Sequence, residues 1–254
     1  MIEAENPYSS PDQLNEEQQQ TKRWRSVFVA LLTVAGIIAV ILVLFLPAMR
    51  NSGGPAHRMD CRNNLKNIAL ALHNYAAKNH GILPPTYTVD SAGKPLHSWR
   101  TLILPYIDYQ DLYKKVDLSK SWNDPANAEV FKAYVKVYHC PSSETAENYT
   151  TYLAIVAPNG CFRPTEPRVL AAMTDSAAKK LLVIEMAASQ AVPWMSPLDA
   201  DEQMVLEIGV KTASAHLGST NVAFVDGSVS SLDNSSSAIE RRAMISIRSQ
   251  TSPQ

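Results

Sequence analysis

VFVALLTVAGIIAVILVLFL, residues 27–46, is a run of twenty residues without a charge, interrupted only by Thr33 and Gly36. About twenty apolar residues in a helix cross the hydrocarbon core of a bilayer. The stretch therefore predicts a transmembrane helix over 27–47, with membrane lipid as the partner of residues 27–46. Lys22, Arg23 and Arg25 abut its start, and juxtamembrane cations stay on the cytoplasmic side. Arg50, Arg58 and Arg62 follow closely and nearly even the count. The expected topology is a single pass through the inner (cytoplasmic) membrane, N-terminus inside and C-terminal domain extracytoplasmic. A cleaved secretory signal is the competing reading. The apolar run is long for a signal core and is preceded by a stretch rich in Gln, Glu and Asn, which favours an uncleaved anchor.

Outside that run the composition is ordinary. A formal net charge of -1 over 254 residues creates no field that would recruit nucleic acid, which is excluded as a partner. Residues 1–26 hold Pro, Ser, Gln and Glu with scattered apolar groups, too few to offset the entropy of ordering, and are expected as a disordered cytoplasmic tail. Gly53, Gly54 and Pro55 disfavour a helix interior by roughly 1 kcal/mol per glycine and about 3 for proline, so 48–56 is expected as a flexible linker. Residues 57–248 are enough for one domain with a core of its own.

Apolar residues at three- and four-residue steps, Cys61, Leu65, Ile68, Leu72 and Tyr75 or Ala76, predict a helix over 57–79, stopped by Gly81 and Pro84-Pro85. A short helical segment around Pro105 is expected within 98–113, and Asp124-Pro125 opens another as cap and first residue. The period then changes. Residues 135–139, 149–156, 181–185 and 220–225 read as strands rich in β-branched and aromatic side chains. Asp226-Gly227 predicts a hairpin with a type I′ turn. Residues 236–247 form a last helix with Ile239, Ala243, Met244 and Ile247 on one side.

Four motifs appear in order: Cys61-Arg62-Asn63-Asn64-Leu65 with His73-Asn74-Tyr75, then Ser98-Trp99-Arg100 with Pro105-Tyr106, then His139-Cys140-Pro141, and finally His216 with nine residues before Asp226-Gly227. Together they resemble the domain-of-unknown-function family 1559 (DUF1559), over about residues 48–232. The resemblance implies an α+β architecture: a single transmembrane helix followed by a type IV pilin-like domain, an amphipathic helix packed on an antiparallel β-sheet. It implies a membrane-anchored, non-enzymatic, pseudopilin-like protein of structure, secretion or envelope, with protein partners in the cell envelope or self-association. A prepilin junction carries a Gly and a Glu at the start of the apolar run. Here that stretch reads Arg23-Trp24-Arg25-Ser26-Val27-Phe28-Val29, so prepilin-type cleavage is not expected.

Three cysteines stand at 61, 140 and 161. Because Cys61 and Cys140 both lie in family motifs, the resemblance points to them as a disulfide in an oxidising compartment; three separate buried thiols are the alternative. His216, Asp226, His139 and Glu185 are the residues with metal-binding or acid-base chemistry, but no HExxH, paired CxxC, GxSxG or glycine-rich phosphate loop frames them. His216 and Asp226 are accordingly expected to serve a loop and a turn, and no cofactor or catalytic residue is assigned. Asn63, Asn64, His73 and Asn74 are expected as satisfied structural groups. Trp99, Tyr106, Tyr109 and Tyr113 suit a core or a sugar platform. The second functional reading is an anchored small-molecule or glycan-binding domain, in keeping with the family's occasional grouping with solute-binding proteins.

Overall fold

The computed structural model describes residues 11–51, 53–173, 180–213, 216 and 218–247. The chain divides at Gly53 into an N-terminal unit and a larger one from Gly54 onward. The N-terminal unit contains α1, Pro11–Asn51. Within it, residues 19–41 have the length and composition that membrane spans and signal sequences share. Large apolar side chains from Trp24 to Ile41 are exposed on it. The tail expected to be disordered is helical from residue 11, while residues 1–10 lie outside the described residues. Gln, Glu, Lys and Arg are good helix formers, Pro11 suits a first helical position, and the apolar helix that follows removes the cost of nucleation.

The expected linker is likewise helical at 48–51 and 53–56; Ser52 lies outside the described residues, as does Arg248 at the expected domain end. Gly53, Gly54 and Pro55 occupy the first turn of α2, Gly53–Lys78, where a proline's missing N–H breaks no intrahelical bond. From there Cys61, Leu65, Ile68, Ala69, Leu72 and Ala76 are buried in one stripe, each Leu or Ile contributing about 1.5–3 kcal/mol. Gly81 closes α2 with a positive φ of 77° and donates its N–H to the Ala76 carbonyl.

A hairpin of β1 (Tyr87–Val89) and β2 (Pro95–Ser98) leads into three short helical pieces, α3 (Trp99–Leu102), a 3-10 turn Leu104–Tyr106 and α4 (Gln110–Tyr113). Ser98 caps the first, and Asp124 caps the turn Pro125–Asn127 that precedes α5, Ala128–Phe131. The strand expected at 135–139 is instead the 3-10 turn Lys136–Tyr138. Tyr138 is buried there, its hydroxyl donates to the Arg100 carbonyl at 2.7 Å and its ring packs on Trp194; these tertiary contacts override the β-branched composition.

β3 (Tyr149–Thr150) pairs with β6 (Val192–Pro193). The main sheet runs β7-β4-β5-β8-β9, from Ala200–Asp201, Tyr152–Val156, Leu181–Glu185, Ser219–Phe224 and Val229–Asp233. It is antiparallel except for β7, which adds a parallel edge to β4. Side chains alternate across it. Tyr152, Ala154, Val183 and Ala223 face the α2 stripe, and Leu153, Ile155, Ile184 and Val222 form a second core with Val205, Ile208 and Ile245. The sheet is thus covered on both faces, by α2 on one and by α6 (Glu202–Leu206) and α7 (Ala238–Ile245) on the other.

Two local expectations change. Only Gly227 in the β8–β9 loop has positive φ, 81°. Val225-Asp226-Gly227 form a three-residue loop with bonds Gly227 N to Phe224 O and Phe224 N to Ser228 O, a type I turn ending in a left-handed glycine rather than type I′. Buried, β-branched Val225 does not suit the positive φ that type I′ demands. In α7 the inward face carries Arg241 and Ile245, while Ile239 and Ala243 are exposed. Arg241 decides the rotation: its guanidinium donates to the carbonyls of Leu206, Ile208 and Asn234, filling the acceptors left open at the end of α6.

Candidate functional site

Three motif-bearing segments, around Cys61, Cys140 and His216, meet strand β5 at the N-terminal part of α2. Period-two alternation places Glu185, the last residue of central strand β5, on the same face as Val183 and toward α2. Asn221 of β8 stands across from it in register, as Ile184 pairs with Val222. Cys61 comes from the buried stripe of α2, and Cys140 from the loop after the turn at Lys136–Tyr138. Cys61 and Cys140 are joined by a disulfide with Cα atoms 5.4 Å apart. His216, just before β8, brings Nε2 within 3.1 Å of Glu185 Oε2, and Asn221 Nδ2 donates to the same oxygen at 2.7 Å. The ligand-capable atoms of Cys61, Cys140, Glu185 and His216 all lie within 4.8 Å of one another.

The surroundings are buried and polar in equal measure. Glu185 is fully buried, and its Oε1 has no hydrogen-bond partner among the described residues. Tyr152 donates toward the Cys61 carbonyl and accepts from Asn64, which also holds the His139 carbonyl at 3.0 Å. Burial, and then the Glu185 charge, push the Tyr152 hydroxyl well above its usual range, so it stays a phenol. A cleft of about 240 Å3 lined by Cys140, Ser142, Ser143 and Glu185 opens beside the group.

The remaining motif residues take other places. Asp226 does not join His216: it is exposed in its turn, accepting from Ser228 N and Oγ. His73 approaches the Val225 carbonyl through Nε2 at 2.9 Å and lies against Gly227, where an added Cβ would meet the ring; the Asp-Gly turn is thereby pinned to α2. Asn63 lines a shallow groove with Lys66 and Gly227, Leu65 is core, and Asn74 and Pro141 are exposed. Tyr75 meets Tyr106 edge-on at 5.8 Å, and Pro105 sits in the 3-10 turn before it. Trp99 is buried, and Tyr106, Tyr109 and Tyr113 are half-buried and pack against the core. A second cleft of about 630 Å3, around Pro158, Arg163 and Glu166, has no aromatic lining.

Sequence reasoning missed Asp199 and Asn221. Asp199 accepts from Trp99 Nε1, from the Ala154 N–H and from Arg100 Nη1 at 2.6 Å, and no local pattern connects it to residues 45 to 100 positions away. Cys161, the third cysteine, is buried away from the cluster, and burial pushes its thiol up to about 12. Thiolate is the reactive form. The native chain is therefore expected to resist alkylation at pH 8, to take one label when denatured without reductant, and three when denatured and reduced; intact mass decides, and a labelled native chain would refute the assignment.

These features define a class: an α+β domain with an internal disulfide behind one N-terminal apolar helix. The model of a family described as a protein of unknown function (DUF1559) matches residues 55–179, and that segment of the chain belongs to the family. The match takes in Cys61 and Cys140 and ends before Glu185 and His216. No curated protein and no solved structure matches the chain.

Proposed function

We propose that the chain is a membrane-anchored protein whose extracytoplasmic, pilin-like domain serves a structural, secretion or envelope role without catalysis. The observation that carries this reading is the buried Cys61–Cys140 disulfide, since such bonds persist in oxidising compartments and are rare in the cytosol. The exposed apolar surface of α1 supports lipid contact, and Lys22, Arg23 and Arg25 favour a cytoplasmic N-terminus. The packing of α2 on an antiparallel sheet supports the pilin comparison, from which the second layer of α6 and α7 departs.

A tag after Gln254 tests the topology. Protease added to intact cells, to cells with a permeabilised outer layer and to lysed cells should digest the tag before the inner membrane is broken, and the chain should pellet with membranes. Digestion only after inner-membrane lysis would place the domain in the cytoplasm and refute the reading. Recovery of the chain from the soluble fraction would replace the anchor by a cleaved signal.

A further inference from the structure

The group around Glu185 does more than a crosslink requires. A disulfide alone needs no carboxylate beside it, yet β5 holds a fully buried Glu185 with one oxygen unpartnered among the described residues, and His216 and Asn221 fix the other oxygen. Leaving such an oxygen unsatisfied is costly in a buried site. We propose that Cys61, Cys140, Glu185 and His216 form a site for a zinc-class divalent cation that opens when the disulfide is reduced. This goes beyond the structural role proposed above and does not depend on it.

The donor set is two sulfurs, one carboxylate oxygen and one imidazole nitrogen, a combination that suits tetrahedral zinc. With Zn–S of about 2.3 Å and Zn–N or Zn–O of about 2.0–2.2 Å, tetrahedral ligands stand roughly 3.3–3.8 Å apart. The four residues already bring their donor atoms within 4.8 Å of one another, so modest side-chain rotation closes the shell. The supports that metal ligands use are present: Asn221 orients Glu185, and Ser231 Oγ donates to Asn221 Oδ1 at 3.1 Å. The cleft lined by Cys140, Ser142 and Glu185 provides an entry path.

Bonded sulfurs do not ligate as thiolates, so disulfide and metal exclude each other. A dithiol reductant attacks the bond and passes it two electrons and two protons, leaving Cys61 and Cys140 as thiols and the reductant as a disulfide. The sulfurs then part to about 3.8 Å. The incoming cation displaces both thiol protons to solvent and is held by two thiolates, the Glu185 carboxylate and neutral His216.

Cobalt(II) is the probe. The tag-free full-length chain, in detergent and without oxygen, should after reduction bind one equivalent of Co2+ with a thiolate charge-transfer band and the intense visible bands of a tetrahedral ion, both abolished by Zn2+. The oxidised chain should show neither. Cys61→Ser and Cys140→Ser should lose the charge-transfer band, His216→Gln and Glu185→Gln should weaken binding at least tenfold, and Cys161→Ser should leave it unchanged. Refolding the reduced wild-type chain with Co2+ present covers the case in which reduction unfolds it. No tetrahedral spectrum under either regime would overturn the proposal, as would a spectrum indifferent to His216→Gln and Glu185→Gln.

Discussion

Arg100→Ala should destabilise the domain by about 3–5 kcal/mol, the cost of removing one partner from a buried ion pair. Arg100 is fully buried, and its guanidinium donates to the carbonyls of Trp194 at 2.9 Å, Ser196 at 2.9 Å and Leu198 at 2.8 Å as well as to Asp199 at 2.6 Å. It ties β4, the segment after β6 and the helical region around Trp99 into one body. Truncation strands these carbonyls and leaves Asp199 as an uncompensated charge. Lys replaces the planar fork by one ammonium and should recover little. The loss is a large share of the 5–15 kcal/mol that holds a typical domain together.

The sign with pH follows from Asp199. Burial raises its carboxyl above the ordinary value while Arg100 pulls it down. Without Arg100 it rises further, and a group with a raised folded pKa contributes its stability below the unfolded value and loses it as pH climbs through the folded one. The Arg100→Ala penalty should therefore be larger at pH 7 than near pH 4, because Asp199 takes up a proton more readily in the variant than beside Arg100. Denaturant unfolding of the full chain in detergent at both pH values measures this. A loss under about 1 kcal/mol at pH 7, or a penalty that grows on acidification, would refute the account.

Removing the crosslink is the second large effect. The bond spans 79 positions, and the chain-entropy relation for a loop of that length gives about 4.5 kcal/mol of stabilisation through the unfolded state. The double variant Cys61→Ala, Cys140→Ala should lose a comparable amount relative to the oxidised wild type. Reduced wild type should fall to a similar level, then recover in Zn2+ while the double variant does not, because only the former retains the thiolates. Thermal or denaturant unfolding in three states, oxidised, reduced and reduced with Zn2+, reads both. Equal stability of oxidised and reduced chains would show that the crosslink contributes nothing.

Much of the fold was legible locally. The stripe from Cys61 to Ala76 marks α2 because one helical face must be buried, and 181–185 and 149–156 read as strands because buried strands concentrate β-branched and aliphatic residues. The errors fell where tertiary contacts outweigh composition: Tyr138 pulled from strand to turn by its contacts with Arg100 and Trp194, α7 rotated by Arg241, and Asp226-Gly227 held by His73 in a turn with a single left-handed residue. At the candidate site, Cys61, Cys140 and His216 stood out in their motifs, and Glu185 only as a carboxylate on a strand. Asn221 and Asp199 carried no signal, since a hydrogen-bond acceptor is chosen by position in space.

By itself the sequence determined the apolar N-terminal helix, the amphipathic helix that follows, the three central strands β4, β5 and β8 and the family, because each depends on residues within one or two turns of each other or on contiguous motifs. Only the tertiary structure decided that the sheet is covered on both faces, that Cys61 is bonded to Cys140, and that Glu185 rather than Asp226 meets His216. Those outcomes depend on strand order and register, which bring together groups 31 to 79 positions apart, and a register shift of one residue would turn Glu185 to the opposite face of the sheet.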